Sequence, residues 1–142
     1  MKYKTTAFAL AAVVFAVVVF VILNGQSARA PTNQAASVSV PPLSHVAARG
    51  KIAFDANCAP CHGANASGTG RGPPLVHDIY NPGHHADGAF FLAAKLGVRQ
   101  HHWPFGNMPP QPQVTEEEVA AIVRYVRELQ VANGIRYHPH RM

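Results

Sequence analysis

Cys58-Ala59-Pro60-Cys61-His62 is the run of this chain best suited to chemistry. Two thiols at Cys-x-x-Cys spacing, followed at once by an imidazole, form the arrangement that attaches a c-type haem. The thiols add to the two vinyl groups of the macrocycle, and the adjacent imidazole falls under the iron. Two other uses of such a pair were open to the chain. A dithiol of the thioredoxin kind belongs after a strand in a βαβ pattern, and no convincing β segment is present. A structural zinc centre needs four ligands; His77, His84, His85, His101 and His102 are available, yet no second Cys-x-x-Cys or matching histidine pair completes one. These are the chain's only two cysteines, so no disulfide closes a long loop. The expected cofactor is therefore one covalently attached haem c with its iron, and in a small domain it serves as the centre of the hydrophobic core.

An iron that only carries electrons takes two axial ligands, of which His62 supplies one. Met108 and Met142 are the methionines of the body. Met142 ends a polar tail and is a poor ligand candidate. Met108 sits in Trp103-Pro104-Phe105-Gly106-Asn107-Met108-Pro109-Pro110, a turn-rich loop whose prolines lower its entropy and can hold a thioether in place. His101 and His102 are rival ligands that would give bis-histidine iron at lower potential, and a plain core role is the third reading of Met108. A ligating imidazole needs a partner for its other nitrogen. Arg71-Gly72-Pro73-Pro74-Leu75 follows closely enough to loop back, so the carbonyl of Pro73 or Pro74 can accept that bond. Arg71 either pairs with a haem propionate or is a solvated surface residue.

Three helices must position these groups. The first spans His45 to Asn57, with Ile52, Ala53 and Phe54 toward the core and Gly50 as a point of close approach. The second, Asp87 to Leu96, offers Phe90, Phe91 and Leu92 and ends at Gly97. The third opens on a capping box, Thr115 with Glu118, and carries Val119, Ile122, Val123, Val126 and Leu129 on one face until Asn133-Gly134. Glu116 to Glu118 suit its positive N-terminal end.

The whole chain sets the context. Residues 5 to 23 are almost unbroken apolar and follow Lys2 and Lys4, which hold the N-terminus in the cytoplasm and deliver the rest across the membrane. Residues 1–30 are thus a signal peptide or a membrane anchor. Nineteen residues suffice to span a bilayer, while Ala28-Arg29-Ala30 has the small-x-small pattern of a cleavage site. The body is placed on the periplasmic side of a bacterial inner membrane, anchored if the leader stays, soluble if it is cut after Ala30. Residues 31–44 read as a flexible linker, 45–135 as the haem domain and 136–142 as a His-containing polar tail. Of 142 residues, 13% are charged, with 12 prolines and 11 glycines, which suits one compact domain with rigid turns. Beyond residue 30 nine Lys or Arg face seven Asp or Glu, without a basic run, so nucleic acid is not an expected partner.

These residues resemble class I cytochrome c over residues 46 to 132. Gly50-x-x-x-Phe54-x-x-x-Cys58-x-x-Cys61-His62 is similar to that family's first helix running into the attachment site, Gly72-Pro73-Pro74-Leu75 to its following loop, and Asn107-Met108-Pro109 to its distal ligand loop. The resemblance implies an all-α fold of about three to four helices around one covalently bound haem whose edge is exposed. It also implies that the Pro73 carbonyl holds His62, that Met108 is the distal ligand, and that Gly50 meets Ile122 and Tyr125. The implied function is single-electron transfer between redox proteins, a membrane oxidoreductase among them. The alternative is a haem enzyme or sensor with a labile sixth position, peroxidase-like or handling nitrogen oxides. His84-His85 and His101-His102 depart from the family pattern. Copper binding, proton coupling, partner contact and a plain polar surface are the roles open to them.

Overall fold

The computed structural model describes residues 15, 17–20 and 37–139. The rest of the apolar leader, the beginning of the 31–44 segment and residues 140–142 lie outside the described residues. No helix among the described residues is long and apolar enough to cross a membrane.

From residue 37 onward the described chain is helical. α1 is His45–Asn57, α2 the single turn Ala59–His62, α3 Asp87–Leu96 and α4 Glu116–Ala132, with 3-10 turns at Ala64–Ala66 and Asp78–Tyr80. Among the described residues there is no strand, only an isolated antiparallel bridge between Val98 and Met108.

α1 begins where Ser44 Oγ accepts the Ala47 N–H at 3.2 Å, satisfying a first-turn donor that has no partner within the helix. The Ser44 N–H donates to Glu128 Oε2 at 3.0 Å, which ties the start of α1 to α4. Helices α1 and α4 cross at Gly50. A Cβ there would lie 1.9 Å from the Ala121 carbonyl oxygen and 2.9 Å from the Ile122 nitrogen, so only a residue without a side chain permits this approach. One turn further on, the Phe54 and Tyr125 rings meet edge to face with centroids 5.6 Å apart, both fully buried. Ala47, Val126 and Leu129 complete the dry centre of this crossing. Gly50→Ala is therefore expected to cost at least about 2 to 3 kcal/mol through forced separation of the two helices. Guanidinium unfolding of the haem-loaded protein measures it.

Ile52 does not face this core: it is 72% exposed. At about 100° per residue it points well away from the Gly50 and Phe54 side that α4 covers. The buried positions of α1 are Ala47, Gly50, Ala53 and Phe54.

α4 is capped as its sequence predicts, with Thr115 Oγ1 accepting the Glu118 N–H at 3.2 Å and Glu118 Oε2 accepting the Thr115 N–H at 2.9 Å. It ends at Asn133, followed by Gly134 at φ 82°. Residues 37–44, within the segment expected to be a flexible linker, have no regular secondary structure and touch the helices. Ser39 and Asn133 exchange hydrogen bonds of 2.9 and 2.8 Å, and Val38 and Leu43 pack on the core.

Candidate functional site

The attachment turn grows directly out of α1. Cys58 closes that helix by donating its N–H to Phe54 O at 2.8 Å, and its own carbonyl accepts the His62 N–H at 2.9 Å to form α2. Pro60 falls in the first turn of α2, where a missing N–H removes no helical bond. Gly63 then turns the chain at φ 77°. The next loop folds back onto the turn: Thr69 Oγ1 donates to the Cys61 carbonyl, and the Thr69 N–H to Gly72 O at 2.9 Å. Gly72 lies flat against Cys61, whose carbonyl oxygen would be 2.8 Å from a Cβ there.

This returning loop brings Pro73 to His62. His62 Nδ1 stands 2.9 Å from the Pro73 carbonyl oxygen. A carbonyl can only accept, so Nδ1 carries the proton and the lone pair is left on Nε2, the state a metal ligand requires. Burial also holds the His62 pKa below its ordinary value, although the bond to Pro73 works the other way. Burial, and next the neighbouring Cys61, push the Cys58 thiol up to about 11. Such a thiol is the reverse of the low-pKa, thiolate-bearing cysteine of a dithiol oxidoreductase. The two sulfurs are not joined to each other.

Cys58, His62 and Pro73 border a cavity of about 400 Å³, and Met108 belongs to its lining. Met108 is held by a two-bond clasp: its N–H donates to Val98 O at 2.9 Å, and its carbonyl accepts the Val98 N–H at 3.0 Å. Gly97, at φ 73°, ends α3 and lies so close beneath the clasp that a Cβ would stand 2.4 Å from Met108 O. The Gln111 N–H donates to Ala94 O at 2.7 Å and fixes the far side of the loop to α3. α3 itself has no fully buried residue; Phe90, Ala93 and Leu96 face the cavity, and Leu96 is 67% exposed. Phe90 packs against the core, whereas Leu92 and Leu96 stay more than half exposed.

Trp103 also lines the cavity, with its Nε1 buried beside the Tyr80 side chain. Arg71 does not line the cavity; it is exposed, with its guanidinium 3.5 Å from Cys61 Sγ.

Two residues that shape the site had no signature of their own in the sequence. Gln130 is 1% exposed on the otherwise apolar face of α4. Its Nε2 donates to Leu75 O at 2.8 Å and to Tyr80 O at 3.0 Å, and its Oε1 accepts from Arg127 at 2.7 Å. Arg127 in turn donates to Asp87 at 2.8 Å, to Tyr80 O at 2.7 Å and to His85 O at 2.5 Å, with Phe90 beneath its guanidinium. Together they pin α3 and the 75–85 segment, which form two sides of the cavity, to α4. A polar side chain at one position of an apolar helix face was the available hint. Gln130→Leu leaves the Leu75 carbonyl without its donor and takes one partner each from the Tyr80 carbonyl and the Arg127 guanidinium, and is expected to cost about 1 to 3 kcal/mol in denaturant unfolding.

The residues fit a covalently held haem. Cys58 and a lone-pair imidazole border an apolar cavity of cofactor size, Cys61 follows in the same turn, and Met108, its backbone clasped by Val98, belongs to the lining. No curated protein and no solved structure matches the chain significantly. The family model for cytochrome c matches residues 47–130, from the first buried residue of α1 to Gln130 near the end of α4. That match takes in the attachment turn, the clasped loop and the crossing of α1 and α4, and the chain belongs to the cytochrome c family, a haem-binding electron-transfer protein with covalently attached haem c.

Proposed function

We propose that this domain passes single electrons between redox proteins on the periplasmic side of a bacterial inner membrane, with His62 and Met108 as the two iron ligands. The haem supplies a one-electron ferric/ferrous couple when bound. The carrying observation is that His62 and Met108 line one cavity while each is fixed by backbone bonds from a separate loop. The Pro73 carbonyl orients the imidazole and raises its basicity as a ligand. The Val98 clasp fixes the Met108 backbone from which the thioether extends, without demanding a helix behind it. Ligands fixed in this way need not rearrange when the charge changes, which suits outer-sphere transfer.

His101 and His102 also border the cavity, but both are exposed and engaged elsewhere. His101 Nδ1 donates to Arg99 O at 2.8 Å, and His102 Nε2 lies 3.3 Å from His84 Nε2. Met108 is half-buried, which supports it over either histidine. Arg71 is assigned to a propionate at the rim on its charge and its place beside Cys61.

The leader supports export, and c-type haem is attached outside the cytoplasm. Its apolar stretch exceeds the roughly 7 to 15 residues of a secretory core, so we assign it as a retained anchor that keeps the domain near a membrane oxidoreductase. N-terminal sequencing of the mature protein separates an anchor beginning at Met1 from a released body beginning at Pro31. For the ligand pair, the ferric protein should show a sulfur-to-iron charge-transfer band at neutral pH. Its absence from a low-spin spectrum would move the distal position to His101 or His102.

A further inference from the structure

The histidines that the cytochrome pattern leaves unexplained meet in space. His84 and His85 leave one turn, their N–H groups both donating to Asn81 O at 3.0 and 2.9 Å, while His102 belongs to the loop that carries Met108. One ring nitrogen from each of His84, His85 and His102 lies within 4.8 Å of the others. The His84 and His102 Nε2 atoms are 3.3 Å apart. Imidazole nitrogens at about 2.0 to 2.1 Å from a tetrahedral ion are separated by about 3.3 to 3.4 Å, so this pair already has the spacing of two ligands.

The third ring is prepared as well. His85 Nδ1 stands 2.7 Å from Ile79 O and must donate to it, which leaves the lone pair on Nε2. This is the same outer-shell device that Pro73 provides for His62. The backbone of His85 is fixed by Arg127, whose guanidinium donates to its carbonyl. His85 is half-buried, whereas His84 and His102 are exposed, so the cluster has one anchored ligand and two that reach it from solvent. An all-imidazole set of this kind suits late first-row divalent ions and does not suit magnesium or calcium.

We propose that His84, His85 and His102 form a second metal site, taking a late first-row divalent cation such as Zn(II) at the rim of the haem cavity. His85 and His102 border that cavity too, so a bound dication places positive charge beside the haem and favours the ferrous state. The domain would then respond to metal supply through its potential.

Zn(II) titration of the haem-loaded protein by calorimetry tests this, since both thiols are then in thioether linkage and cannot compete. One equivalent should bind, and the haem midpoint should move to a more positive value. The double variant His84→Ala, His102→Ala, at exposed positions, should lose at least about tenfold in affinity and lose the midpoint shift, whereas His101→Ala should change affinity by less than about twofold. An unchanged haem spectrum verifies that the variants are folded. Absence of binding in the parent protein, or equal affinity in the double variant, overturns the site; the latter would place the ion on other histidines.

Discussion

Met108→Ala is expected to lower the haem midpoint potential by on the order of 100 mV or more, within the roughly 0.8 V that axial ligation spans, and to open ferrous iron to external ligands. The thioether favours the reduced state because it is a soft, neutral donor. The substitution removes that donor and little else, because Met108 is held through its backbone: the Val98 clasp and the approach of Gly97 involve no side-chain atom of Met108. Redox titration of the variant against the parent measures the shift. An unchanged potential would show that the thioether does not ligate the iron.

The second large effect is expected from Cys58→Ala combined with Cys61→Ala. Without the thioether links the haem is no longer retained, and the domain must carry a cavity of about 400 Å³ beside its core. At about 24 cal/mol per Å³, an unrelaxed void of that size costs up to about 10 kcal/mol, which is comparable to the about 5 to 15 kcal/mol that holds a domain folded. Partial collapse of the open side reduces this figure. The double variant should show no haem on a denaturing gel and should lose most of its helical circular dichroism. A helical, cooperatively melting apoprotein would contradict the view that the haem completes the core.

The parts of this architecture that were legible in the sequence depend on local signals. Thr115 and Glu118 cap α4 through atoms three residues apart, Gly97 ends α3 through its own φ, and the spacing of Gly50 and Phe54 marks one face of α1. The assignment of Ile52 to the core failed for the complementary reason. The phase of a short, alanine-rich helix is set by what crosses it, and Gly50 and Phe54 turn Ile52 outward. Phe90, Phe91 and Leu92 give α3 its apolar mass, and Leu92 is 59% exposed in a helix that presents apolar residues to the cavity as well as to protein. The linking roles of Arg127 and Gln130, and the meeting of His84 with His102, join residues many positions apart. No local pattern encodes such pairs; they follow from the packing of α3 and the 75–85 segment on α4.

Carbon monoxide binding to the dithionite-reduced, haem-loaded protein at neutral pH tests the central claim most directly. With His62 and Met108 both held on the iron, the absorption spectrum should not change on addition of the gas. Ready, stoichiometric binding would contradict that account, since it would mean an open or labile sixth position and would place a ligand-binding enzyme or sensor ahead of an electron carrier.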